Sequence, residues 1–223
     1  MRMFFTLLVM ALICVFCVSS PAPASNEDFL KVYAPLITEW SSALNELKSK
    51  GYTESGTLSF DFYDRDQPDS AKAYYALYDI DANGTPELIL RKENKYEDII
   101  AYIFSIKDGK PINIFGDEIY GAPREVPWSR DGASAILSNG LIDSMADDGS
   151  IYRISEDGCG VTEVASRKPN NYPDEAGSAK AEWRYYINGA QVEYDFYVRY
   201  LSELGYVLYG DNALAKIDWV EIR

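Results

Sequence analysis

Between Tyr78 and Leu90 the chain spaces oxygen-bearing side chains in a way that suits a hard cation. Asp79, Asp81 and Asn83 alternate, Gly84 follows at once, and Glu87 comes three residues after the glycine. Calcium takes six to eight oxygens from carboxylates, amides, backbone carbonyls and water. With Asp79 as the first position, Asp79, Asp81, Asn83 and Glu87 offer side-chain oxygens from the first, third, fifth and ninth places. Thr85, in the seventh, offers its backbone carbonyl. Gly84 permits a sharp bend at a positive backbone angle. Asp79, Asp81 and Glu87 give the loop a formal charge of −3, and a bound cation would relieve their repulsion. Single loops of this kind in extracellular modules bind calcium with Kd on the order of 0.1–1 mM.

A metal-free turn is the competing reading. Asp and Asn side chains hydrogen-bond nearby backbone amides and stabilise turns without an ion. In that reading Asn83-Gly84 makes a tight hairpin, and Asp79 and Asp81 are solvent-side strand residues. An EF-hand is excluded: it needs a bidentate Glu in the twelfth place and a helix after the loop. Leu90 stands there instead, and Pro86 with Leu88-Ile89-Leu90 favours a strand.

The stretch resembles the strand-loop-strand calcium loops of FG-GAP and VCBS repeats, over about a dozen residues. The resemblance implies side-chain ligation by Asp79, Asp81, Asn83 and Glu87. Those repeats recur around a β-propeller, whereas this chain carries the pattern once, so no propeller is implied. More broadly, Tyr75 to Ile89, Lys107 to Lys110 and Tyr186 to Val192 resemble segments of exported bacterial proteins and lipoproteins of poorly defined role. That likeness implies export and no enzymatic activity. The chain departs from the lipoprotein members, because Ile13 and Phe16, not small residues, precede Cys14 and Cys17.

The first residues read as a targeting segment rather than as fold. Arg2 gives a basic start, Phe4 to Val18 is an apolar run of 15 residues, and Ala22 and Ala24 form a small-residue cleavage site. A signal peptide over residues 1–24 and a secreted, extracytoplasmic mature chain are therefore expected. No other run approaches membrane-spanning length. Loss of Arg2 takes the net charge from −14 to −15. Nucleic acid, which needs a basic footprint, is disfavoured as a partner. An extracellular ligand or protein is expected instead.

The chain has no histidine, which removes Ser-His-Asp and Cys-His catalytic sets and histidine-ligated zinc. Beyond residue 24 only Cys159 remains, so no internal disulfide is expected. Flanked by Gly158 and Gly160, it reads as a turn residue, with inert packing favoured over redox chemistry.

Several elements must hold the loop in place. Phe29, Tyr33, Leu36, Ile37, Trp40, Leu44 and Leu47 form an apolar stripe that predicts a helix over 26–50, capped by Ser25 or Asn26 and ended by Gly51. Pro35 predicts a kink, or a later start. Residues 53–70 read as a solvated acidic loop containing Asp61, Asp64, Asp66 and Asp69. Tyr74–Ile80, Glu87–Arg91, Asp98–Ile106 and Pro111–Phe115 read as strands of a meander, with an Asp108-Gly109 turn. Shorter strands follow, then a loop-rich stretch near 166–180. Trp183–Ile187 is the next strand, Gln191–Leu204 a helix, and Tyr206–Tyr209 and Ile217–Ile222 are closing strands.

The expected fold is α+β: one domain over 25–223, with an antiparallel β-meander sheet covered by an N-terminal and a C-terminal helix. The expected role is a calcium-stabilised binding or surface-interaction module. The 18 tyrosines and 4 tryptophans offer material for a recognition face. The alternative is a carboxylate-dependent extracellular hydrolase such as a glycosidase, which needs only two well-placed acids. The spacing of the acids singles out no such pair.

Overall fold

The computed structural model describes residues 25–51, 53, 58, 68–95, 98–116, 126–127, 137–138, 141–144, 149–169, 183–204 and 217–223. The expected signal peptide, the acids at 61, 64 and 66, and the strand expected at 206–209 lie outside them.

Helix α1 spans Asn26–Lys50. At its start Asp28 accepts hydrogen bonds from the backbone N–H (3.3 Å) and hydroxyl (2.9 Å) of Ser25, with the charge of Asp28 at the positive end of the helix dipole. Gly51, at φ 75°, ends it and donates to the Leu47 carbonyl at 2.8 Å. The helix continues through Pro35, which lies on the solvent face, where water can take the carbonyl that proline leaves unpaired.

Strands β1 (Lys72–Tyr78), β2 (Glu87–Glu93), β3 (Asp98–Lys107), β4 (Lys110–Asn113) and β5 (Val126–Pro127) belong to one antiparallel sheet. A second comprises β6 (Leu137–Ser138), β7 (Leu141–Ser144), β8 (Ser150–Ile154), β9 (Val161–Pro169), β10 (Trp183–Ile187) and β11 (Ala190–Val192). Helix α2 (Tyr194–Glu203) follows, and β12 (Val220–Ile222) returns to the first sheet. The first sheet runs β12-β1-β2-β3-β4, with β5 also on β3; the second runs β11 to β6 in reverse chain order. No helix among the described residues is long and apolar enough to cross a membrane.

The α+β class holds, but the single helix-covered sheet gives way to four layers: helix, sheet, sheet, helix. Tyr33, Trp40, Leu44 and Leu47 of α1 pack on Leu88, Leu90 and Phe104 of the first sheet. The opposite face, with Ile89, Ile100 and Ile103, meets Ile142, Tyr152 and Ile154 of the second sheet. Tyr197 and Leu201 of α2 pack on Leu141, Ile151, Ala165 and Ile187 behind it. The cause is visible in β2, buried at every position: a strand apolar on both faces needs a partner layer on each. Each fully buried Leu or Ile contributes roughly 1.5–3 kcal/mol.

Several boundaries move, β1 to Lys72–Tyr78 from Tyr74–Ile80 and β4 to Lys110–Asn113 from Pro111–Phe115 among them. Ser166–Pro169 finish β9, so only the later part of the expected loop-rich stretch lies outside the described residues. Ala190–Val192 extend a hairpin with β10, so α2 begins at Tyr194 rather than Gln191. The closing strand shortens to Val220–Ile222. It is held to β1 by pairing at Ala73–Tyr75, and Arg91 lies between the Tyr74 ring (4.5 Å) and the Trp219 ring (5.3 Å).

Candidate metal centre

The loop Asp79–Pro86 joins β1 to β2, whose last paired residues are Tyr78 and Glu87. It is not a two-residue hairpin, so Asp79 and Asp81 are loop residues, both half-buried, rather than solvent-side strand residues. Two left-handed residues turn the chain, Ala82 at φ 59° and Gly84 at φ 88°. Glycine suits the second; alanine at the first holds a conformation it does not favour.

Hydrogen bonds shape the loop from within. The Asp79 carboxylate accepts from the N–H groups of Asn83 (3.0 Å) and Gly84 (2.9 Å). The Asp81 carboxylate accepts from Asn83 N–H at 3.1 Å and from Asn83 Nδ2 at 3.0 Å. Asn83 Oδ1 accepts from Thr85 N–H at 2.7 Å. Glu87 stands apart: it is fully buried, and Oε2 accepts from Ile80 N–H at 2.9 Å. Its Oε1 meets the Ser105 hydroxyl at 3.5 Å.

Three of the expected ligands converge. Asp79, Asp81 and Glu87 each offer an oxygen, all within 4.8 Å of one another. Two oxygens on opposite sides of one calcium stand about 5 Å apart, so this separation is one that a single ion can bridge. Asn83 is not in the triad; its amide nitrogen faces Asp81 and its oxygen is engaged by Thr85. Thr85 is half-buried on the rim.

The electrostatics favour a cation. Burial pushes the Glu87 carboxyl up to about 7, and the charges of Asp81 and Asp79 push the same way against the Ile80 N–H. Negative charge crowded against a desolvated carboxyl is what a divalent ion offsets.

Side chains distant in sequence wall the site. The buried Tyr33 hydroxyl of α1 lies 3.1 Å from the Pro86 carbonyl and 3.2 Å from that of Phe104, tying the end of the loop to the helix. Burial, then the charge of Glu87, raise the Tyr33 hydroxyl well above its usual range, so it stays a donor. The β8–β9 turn of the second sheet closes in too. A Cβ on Gly158 would sit 3.4 Å from Asn83 Nδ2 and 3.6 Å from Ser105 Oγ. Lys107 and Asp157 pair at 3.6 Å beside it. Cys159, half-buried in this turn, directs Sγ at the Asp157 carbonyl, 3.0 Å away. Tyr33, Ser105 and Gly158 were not legible as site residues; only the expected turn at Cys159, flanked by Gly158 and Gly160, marked the last.

Comparison with known protein families, curated proteins and solved structures finds no match to this chain.

Proposed function

We propose that this chain is a secreted, acidic, calcium-stabilised binding or surface-interaction domain. The convergence of Asp79, Asp81 and buried Glu87 on a space that one ion can share is the observation that carries the reading. Calcium would join the end of β1 to the start of β2. The apolar N-terminal run supports export, and the net charge of −14 supports cation attraction.

The hydrolase alternative would use Glu87 as an acid held protonated near neutral pH beside ionised carboxylates. Its full burial and its bond from Ile80 N–H keep it from a polymer substrate, which favours the cation reading.

Thermal unfolding in chelator and in 10 mM calcium tests the reading. With Kd of 0.1–1 mM, binding adds about 1.4–2.7 kcal/mol, a rise of several degrees in Tm. The double variant Asp79→Ala, Asp81→Ala should lose that rise. An unmoved wild type, or an equal rise in the variant, contradicts it.

A further inference from the structure

A concentration of positive charge lies on the second sheet, away from the acidic loop. Across the β9–β10 ladder Arg184 stands directly opposite Lys168. Like charges so placed destabilise a ladder. Neither has a carboxylate partner among the described residues, although acids outnumber bases 35 to 21 in the chain. Instead Lys168 Nζ lies 5.7 Å from the centroid of the Tyr186 ring.

Strand alternation and register put Tyr186 on the same face as Arg184, and Gln191 of β11 stands opposite Tyr186. Lys168, Arg184 and Gln191 are exposed and Tyr186 is half-buried. Among the described residues the apolar contacts of the first sheet reach β7, β8 and Val161 at the start of β9, and Ser166, which pairs with Tyr186, is buried. Arg167 and Trp183 point to the other face, where Arg167 lies 5.3 Å from the Trp183 ring.

Two cations with no ion pair among the described residues, one ring and one amide on a single face form a set with a definite complement. The cations suit carboxylates, the ring suits the apolar face of a sugar, and the amide suits hydroxyls. A like-charge pair that weakens the ladder is the kind of local cost expected at a functional face. Duplex nucleic acid would need a broader basic footprint than these two cations provide.

We propose that the Lys168–Arg184–Tyr186–Gln191 face binds an acidic polysaccharide of the uronate class. The proposal rests on the reading of the chain as an extracellular binding module and is independent of the calcium loop. Affinity electrophoresis through polygalacturonate, in chelator, tests it without involving that loop. The purified protein should be retarded by polygalacturonate but not by its uncharged methyl ester, and rising salt should release it. Lys168→Ala with Arg184→Ala should weaken binding about tenfold, and Tyr186→Ala comparably. Trp183→Ala, on the opposite face, should leave it within about twofold. Absence of retardation, equal retardation by the ester or by single-stranded DNA, or undiminished binding by the double variant overturns the proposal. A calcium-induced rise in Tm without retardation would leave the loop reading intact and end this one.

Discussion

Glu87 is the residue on which the site's chemistry turns, because it is buried while its two acidic neighbours are not. Its carboxyl titrates near 7 in the folded chain against 4.5 ordinarily. A raised carboxyl binds its proton more tightly in the folded state. Its contribution is therefore fully present below pH 4.5 and is lost as pH rises through 7. In chelator, urea unfolding should show the protein losing roughly 3 kcal/mol across that window. Glu87→Gln should flatten the profile, and a profile equally steep in that variant would remove Glu87 as its source. Calcium should oppose the loss, because the ion favours the ionised form. Gly84 invites a second test. At φ 88° it has open space around it, so Gly84→Ala meets only backbone strain. Chemical denaturation should report a loss of about 1–2 kcal/mol; an unchanged midpoint would show that the loop does not hold that angle. The clustering of Asp79, Asp81 and Glu87 was legible because the loop gathers neighbours in sequence, where spacing alone encodes geometry. Ser105 and Gly158 were not, since they arrive from β3 and from the second sheet.

Elements carry the next part of the account. The apolar stripe of α1 foretold both its span and its buried face, and Ser25 and Gly51 marked its ends. Pro35 did not mark the start of the helix, because its effect depends on exposure, which periodicity does not report. Tyr33 appeared as one more apolar position, yet its hydroxyl holds the end of the Asp79–Pro86 loop. Tyr33→Phe keeps the ring and removes the donor. It should cost about 1–2 kcal/mol by urea denaturation and weaken calcium binding measurably; full stability together with full calcium affinity would break the link between helix and loop. The same limit shifted the start of α2: Ala190–Val192 form the return strand of a hairpin through contacts with β10 that a helical pattern does not disclose.

At the scale of the molecule, the first meander could be read from its strand runs and turns, whereas the second sheet could not. Its strands are short, and its place is set by an apolar face on the first sheet that only pairing and packing reveal. The run Leu88-Ile89-Leu90 was the available clue, since unbroken apolar residues mark a strand covered on both sides. Ile103→Ala, at the junction of the sheets, should cost about 2–5 kcal/mol and lower protection from hydrogen exchange in both sheets together. Loss confined to one sheet would argue against a shared core. The loop lies beside this junction, with the β8–β9 turn against Asn83 and Ser105, so an ion bound there would brace both layers. Calorimetric titration of calcium into the metal-free protein tests that claim most directly. The account predicts one site with Kd on the order of 0.1–1 mM, abolished by Asp79→Ala with Asp81→Ala. Absence of binding at millimolar calcium, or an unchanged isotherm in that variant, would contradict it.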